Sequence, residues 1–326
     1  TQEIDNAKIY HADLWGRRAN KYETLLEDEI KTTNWNRLDP KSQFYLFTPQ
    51  DKNLLEEYNH CNSINSVFDL NSVGIATSRD KLTIHFSANN ALNVVEKFVS
   101  MSPEQARAEF NLGKDTRDWK VHLAQEDLKK NETSIDFVKR ILYRPFDFRY
   151  TYYTGVTRGF ISMPRYKLIR HMLHSNMGLF VGRQGQAIGG DEWNLIFCGN
   201  VMEDYNLYRR GNNACFPLYI YPDADERGQK SLFDTPVWQA DEANDGRVPN
   251  LDPAFVAEIS EKLGLVFQPN QTGFDEKFFT PEDIFHYIYA IFHSPTYRIR
   301  YAEFLKIDFP RVPLTSDVDL FRTLCE

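Results

Sequence analysis

Nine cations fall between Lys139 and Gln186 against one carboxylate, Asp147, so this stretch carries +8 in a chain whose net charge is −8. They are Lys139, Arg140, Arg144, Arg149, Arg158, Arg165, Lys167, Arg170 and Arg183. Most are arginine, whose planar fork fits phosphate oxygens and the guanine edge better than an ammonium does. Aromatic side chains run between them: Tyr143, Phe146, Phe148, Tyr150, Tyr152, Tyr153, Phe160, Tyr166 and Phe180. A basic, aromatic segment inside an acidic chain is the pattern of a local nucleic-acid footprint. The same composition also fits a twisted hairpin whose arginines pair with acids elsewhere.

Strand alternation over Tyr143–Gly155 would put Arg144, Phe146, Phe148 and Tyr150 on one face and Asp147, Arg149 and Tyr153 on the other. Gly155–Gly159 would form the hairpin tip, carrying Arg158. Pro164-Arg165-Tyr166-Lys167 has the form of a helix start. Its backbone N–H groups, with Arg165, Lys167 and the following Arg170, would suit a phosphate. The Gly-rich run after Gly182 is expected to be a mobile loop. Arg183, Gln184 and Gln186 flank it, and arginine and glutamine read guanine and adenine through paired hydrogen bonds. Arg79, beside Asp80 in the small-residue turn Gly74–Asp80, completes the set of DNA-contact candidates. For each of these residues, internal pairing is the competing role.

Other chemistries find little support. Asp191-Glu192 and Glu203-Asp204 are adjacent carboxylates, and neighbours on a strand point to opposite faces rather than converging. There is no GxSxG elbow, no HExxH helix, no Walker pattern and no GxGxxG opening a helix. His171 and His174 lie three apart with no second ligand pair, so a surface or half-buried pair is expected and no metal site. Cys61, Cys198, Cys215 and Cys325 form no CxxC and are expected to be free thiols. No catalytic residue is assigned, and no cofactor is expected to be bound here.

The scaffold for these residues reads as an ordinary globular chain of 326 residues, 42% hydrophobic and 14% aromatic, enough for one large or two modest domains. No apolar run is long enough to span a membrane and no leader pattern opens the chain, so a cytoplasmic site is expected. The opening reads as though cut from a longer protein. Residues 7–16 alternate like a strand. Arg17–Lys31 has helical composition with Tyr22, Leu25, Leu26 and Ile30 on one side. A short strand is expected at FYLF (44–47) and a helix after Asp51. The turn at Gly74–Asp80 separates two strand-like runs. Ser102-Pro103-Glu104 opens a helix. Trp119–Leu123 reads as a strand and Asp127–Asn131 as exposed. Three further strands are expected at 177–184, 193–200 and 216–222. Residues 223–261 hold ten acids and three bases and read as a linker or solvated insert. Thr280-Pro281-Glu282-Asp283 starts a buried helix, and Ser294-Pro295 a second over YRIRYAEFLK.

Several long strings, in order, resemble the C-terminal specificity domain of type ISP restriction–modification enzymes. They are LYRPFDFRYTYYT (142–154), MPRYKLIRHML (163–173), GLFVGRQ (178–184), FPLYIYP (216–222) and FFTPEDIFHYIYAIFHSPTYRIRYAEFLKIDFPRVPL (278–314). The opening AKIYHADLWGRRANKYETLL is similar to the end of that family's adenine methyltransferase domain. The resemblance implies a module that reads a short asymmetric site in double-stranded DNA. A methyltransferase elsewhere in the parent chain then flips an adenine out of the stack. It also implies helicase-like and nuclease domains there, with S-adenosylmethionine, ATP and Mg as the parent's cofactors. The motifs for those activities are absent from this sequence.

The fold expected is α+β: a curved, largely antiparallel sheet with flanking helices and a helical C-terminal part. The expected divisions are 1–40 as a methyltransferase edge, 41–222 as the recognition domain, 223–261 as the acidic linker, and 262–326 as helices packed on the recognition domain. The expected function is duplex recognition. A single-strand or RNA-binding module, with the tyrosines as stacking platforms, is one alternative. A structural coupling domain, with Arg144, Arg149 and Arg165 tied up in internal ion pairs, is the other.

Overall fold

The computed structural model describes residues 7–40, 45–49, 51–130, 133–183, 192–208, 213–222, 238–271 and 275–326. The chain divides into two units, Thr1–Glu57 and Tyr58–Glu326. In the first, β1 (Ile9–His11) pairs antiparallel with β2 (Asn36–Leu38). Gly16, at φ 109°, turns the chain toward α1 (Arg18–Glu27). The apolar side of that helix is not a core face here: Tyr22, Leu25, Leu26 and the following Ile30 are all exposed. The strand expected at FYLF does not form over its described residues, where Tyr45 has a φ of 47°. α2 (Lys52–Asn59) starts after Asp51, whose carboxylate accepts the Leu54 N–H at 3.0 Å.

The second unit carries most of the fold. After the short strand β3 (Ser72–Val73), the run expected to continue as a strand instead makes a helical turn at Asp80–Thr83. Three helices follow: α3 (Ala88–Ser100), α4 (Pro103–Glu109) and α5 (Val121–Lys130). Ser87 caps α3, and Ser102 with Gln105 forms a capping box on α4. Ala91, Val95 and Phe98 line one stripe of α3 and enter the core.

α5 replaces the strand expected at Trp119–Leu123. Its buried positions Val121, Ala124, Gln125 and Leu128 recur at helical spacing, which a five-residue reading missed. Asp127, expected to be exposed, is buried. Its Oδ2 accepts the Phe160 N–H and the Thr154 hydroxyl, both at 2.8 Å. Burial raises its pKa, and those two bonds oppose the rise.

β4 (Val138–Arg144) and β5 (Asp147–Tyr152) form the central hairpin, in register from Val138–Tyr152 to Arg144–Asp147. Its turn is therefore Arg144–Asp147. The segment Gly155–Gly159, expected to be the tip, belongs to the loop that leads on to α6 (Tyr166–Met172). Next come β6 (Gly178–Gly182), β7 (Ile196–Gly199), β8 (Met202–Glu203) and β9 (Asn213–Pro217).

The fold is mixed α+β, as expected, with its strands shared among several small and mostly antiparallel sheets. One has the order β3-β9-β6-β7, and a second has the order β5-β4-β8, with β8 parallel to β4. The hairpin's Ile141, Leu142 and Tyr152 pack with Phe98, Trp119, Leu128, Phe160 and Phe180 in the main core.

The part of 223–261 that the structure describes is not a solvated linker. Val248–Pro249 pairs with Tyr219–Ile220, and Asp252 caps α7 (Pro253–Leu263), which buries Phe255, Val256 and Ile259. Acid count misled here, because the apolar positions lie between the acids at helical spacing. α8 (Pro281–His293) has the expected capping box, Thr280 with Asp283. The helix after it breaks at Tyr301 into α9 (Pro295–Arg300) and a turn at Ala302–Leu305. The final helix, α10 (Val318–Cys325), sets Phe321 5.1 Å from the ring of Tyr287 on α8.

Candidate nucleic-acid interface

Three backbone contacts bring the candidate elements together. The Ile75 N–H donates to Glu203 O at 3.0 Å, the Asp204 N–H to Leu142 O at 3.0 Å, and the Met163 N–H to Ala76 O at 3.0 Å. The turn Gly74–Asp80, the hairpin, β8 and the segment leading to α6 thus share one edge. Gly74 makes this approach possible, since a Cβ there would lie 2.7 Å from Glu203 O and 2.9 Å from Tyr205 N. Gly74→Ala is therefore expected to shift the turn and destabilise the unit by about 1–3 kcal/mol, read by urea denaturation.

On the hairpin, guanidiniums lie over aromatic rings. Arg140 sits 4.0 Å from the Phe148 centroid, Arg144 3.9 Å from Tyr143, and Arg149 3.5 Å from Phe86. Phe86 and Phe146 are among the most exposed aromatics of the unit, at 77% and 84%.

Carboxylates steer two of these arginines. Asp147 takes Nε of Arg149 at 2.5 Å and Nη2 at 2.8 Å, and Asp204 takes Nη1 of Arg144 at 2.9 Å. Nη1 of Arg149 and Nη2 of Arg144 have no partner among the described residues. The bond from Arg149 holds the Asp147 carboxyl below its ordinary value. Burial pushes Asp204 up to about 6, against the Asn206 N–H and Arg144, which pull it down. Burial, aided by the hydrogen bond to Asp80, lifts the Tyr143 phenol to about 12, and that hydroxyl donates to Asp80 at 2.7 Å. Between Asp80 and Asp204 opens a polar pocket of about 400 Å³, also lined by Ala76, Thr77, Ser78, Tyr205 and Asn206.

The remaining candidates scatter. Arg79 is structural in this geometry: its guanidinium lies 4.9 Å from the Trp119 ring and donates to Ser78 O and Lys114 O. Arg158 is exposed, with a φ of 60°. Arg165, at φ 54°, precedes α6 and donates Nη2 to the Met163 sulfur at 3.5 Å. Lys167 is exposed and Arg170 half-buried on that helix. Arg183 follows β6, whose sheet is not that of the hairpin, and lies 5.4 Å from the Phe309 ring. Gln184 and Gln186 lie outside the described residues. Sequence reasoning missed Phe86 and Asp204 as parts of the site and named Tyr143 only among the interleaved aromatics. Only Tyr143 carried a signal, its place beside Arg144.

His171 is buried rather than on the surface, and its Nδ1 accepts the Tyr221 N–H at 3.0 Å. His174 stacks on Tyr221 at 4.3 Å. The four cysteines are unbridged. Among the described residues no three His, Cys, Asp or Glu side chains gather as metal ligands, and no helix is long and apolar enough to cross a membrane.

The second unit is thus a small-sheet α+β fold that carries an arginine–aromatic hairpin. The profile of the Type ISP C-terminal specificity domain matches residues 66–326, and the chain belongs to that family. In type ISP restriction–modification enzymes this domain is the specificity, or target-recognition, part, and the catalytic domains lie elsewhere.

Solved structures agree on the fold. A DrdV–DNA complex is 16% identical, with a TM-score of 0.63 over 98% of this chain and 30% of that one. A nuclease-deletion mutant of the type ISP enzyme LlaGI, bound to a DNA substrate mimic, is 20% identical, with a TM-score of 0.58 over 98% and 28%. The ATP-dependent type ISP enzyme LlaBIII bound to DNA is 18% identical, with a TM-score of 0.57 over 89% and 17%. This chain thus spans less than a third of the length of each. No curated protein matches.

Proposed function

We propose that this domain reads a short site in double-stranded DNA, meeting the duplex with the arginine–aromatic edge of the hairpin. In doing so it would position a separate N6-adenine methyltransferase and nuclease of the parent enzyme. The observation that carries the proposal is the set of three hairpin guanidiniums, Arg140, Arg144 and Arg149, each seated on an aromatic ring: Phe148 and Tyr143 of the hairpin, and Phe86 just before α3. Stacking and the Asp147 and Asp204 carboxylates fix two of the forks in advance, so little side-chain freedom is lost on binding. Their open N–H groups face phosphate or a guanine edge. Membership of the specificity-domain family and the DNA complexes of structurally similar proteins support the same reading.

The internal pairs of Arg144 and Arg149 favour a second reading, a coupling domain without base readout. Affinity of the protein for random duplex, single strand and RNA over a salt series separates the two. Duplex preference is expected, with affinity falling steeply as salt rises. Arg140→Ala, Arg149→Ala, Arg165→Ala and Arg183→Ala then sort the contacts, since each lost phosphate contact flattens the log–log slope by about 1. Absence of duplex binding at low salt would leave the coupling reading standing.

A further inference from the structure

We infer that Phe146 is a wedge, inserted by the hairpin turn between two stacked base pairs of the bound duplex. The inference rests on the proposal that the hairpin edge meets DNA. It starts from two costs that fall on one residue. Phe146 is the third residue of the turn Arg144-Pro145-Phe146-Asp147, and its φ is 63°. Pro145 suits the second position of such a turn, but the third favours glycine or asparagine, and a bulky side chain there is strained. A phenylalanine would ordinarily offset such strain by burial. This one is 84% exposed, and its one ring contact among the described residues is an edge-on approach to Phe197 at 4.9 Å. Neither turn preference nor packing explains the residue, and strain of this kind collects at ligand contacts.

Its surroundings say what the contact is. The tip is apolar, and the strands directly behind it carry Arg140, Arg144 and Arg149. An apolar point with cations on both flanking strands complements a duplex at one base step, where stacked faces lie between two phosphate chains. Proteins that insert an apolar side chain there unstack the step and kink the helix. The hairpin presents Phe146 on a rigid, two-stranded support, and Arg144 and Arg149 are held by their carboxylates at its base.

The test uses the full-length protein and two probes: a random-sequence duplex, and the same duplex with one central abasic step, which is already unstacked. Wild type is expected to bind the abasic duplex about tenfold more tightly than the intact one, because the unstacking is done beforehand. Phe146→Gly is expected to lose about tenfold on the intact duplex and to lose the preference for the abasic one. Its salt slope should stay at the wild-type value, since no phosphate contact is removed. Its melting temperature should not fall, because glycine relieves the turn. Phe146→Leu, still apolar, should keep most of the preference. Equal binding of wild type and Phe146→Gly to both probes, or a drop in melting temperature with Phe146→Gly, overturns the wedge and leaves duplex recognition intact. A wild type that binds neither probe at low salt overturns both.

Discussion

Trp119→Ala is expected to destabilise the Tyr58–Glu326 unit by about 3–5 kcal/mol, a large share of the roughly 5–15 kcal/mol that holds a typical domain folded. The indole is wholly buried in the main core, and its Nε1 donates to Phe160 O at 3.1 Å. Truncation opens a cavity and strips the Phe160 carbonyl of its donor at once. The effect should also reach the candidate interface. Arg79 lies over the indole at 4.9 Å, and Arg79 leads the turn that carries Asp80, the acceptor of the Tyr143 hydroxyl. Trp119→Phe keeps an aromatic ring under Arg79 and loses the hydrogen bond and a smaller part of the buried volume, so a loss of about 1–3 kcal/mol, below that of Trp119→Ala, is expected. Urea denaturation followed by tryptophan-independent circular dichroism reads both values. Near-equal losses for the two variants would mean that the hydrogen bond, and not the ring, supports the turn.

How far the sequence reached differs from one element to the next. Caps were plain: Ser102, Thr280 and Ser294 each precede a proline and begin the helices they predict. Strands at 178–182 and 196–199 followed from short apolar runs, whereas the run expected as one strand at 216–222 divides between the end of Asn213–Pro217 and Tyr219–Ile220. The hairpin was expected in the right region with the wrong turn. Glycines drew the tip to Gly155–Gly159, while the chain turned at Pro145-Phe146, where a left-handed phenylalanine breaks the rule that locates turns. Within β5 the expected alternation of Phe148 and Tyr150 against Asp147 and Arg149 holds, and Phe146, in the turn, falls outside it. The polar segments failed for a related reason. Asp127 is charged by type but is buried among apolar neighbours at helical spacing, and in 253–263 the apolar residues between the acids pack inward while the acids stay at the surface or half-buried.

The site shows the same limit. Composition located the basic stretch but could not say which arginines would be held on rings and which would serve the fold. Arg79 and Arg149 are alike in sequence context, each with an acid close by. In the structure Arg79 spends its donors on backbone carbonyls beside a buried tryptophan, and Arg149 stands on an exposed phenylalanine. The partners that decide this, Trp119 and Phe86, are 40 and 63 residues away in the chain, a separation at which no local pattern carries information.

Stability is expected to decline as pH rises from about 4.5 to about 8, and Glu203→Gln should remove much of that decline. Glu203 ends β8 wholly buried, with no well-formed hydrogen bond to either carboxyl oxygen among the described residues and the buried Cys215 thiol beside it. Burial lifts its pKa from 4.5 to about 8, with the nearby Asp204 charge adding to the rise. In the unfolded chain the group ionises near its ordinary value, whereas in the fold it keeps its proton until about pH 8. Between those limits the folded state binds the extra proton. Each pH unit upward then costs about 1.4 kcal/mol, and the contribution present below pH 4.5 is gone once pH passes the folded value. The amide of Glu203→Gln cannot ionise, so its unfolding free energy should fall far less over this window, with Asp204 leaving a decline only up to about pH 6, and the variant should overtake wild type toward pH 8. Urea midpoints at several pH values read the effect. Parallel curves for the two proteins would show that Glu203 is ionised in the fold, with a partner the neutral geometry does not reveal. The cost also bears on the site, because Glu203 O receives the Ile75 N–H that docks the Gly74–Asp80 turn. Ionising the buried carboxyl puts a charge beneath that junction, so DNA affinity should weaken above pH 8 in wild type before it does in Glu203→Gln.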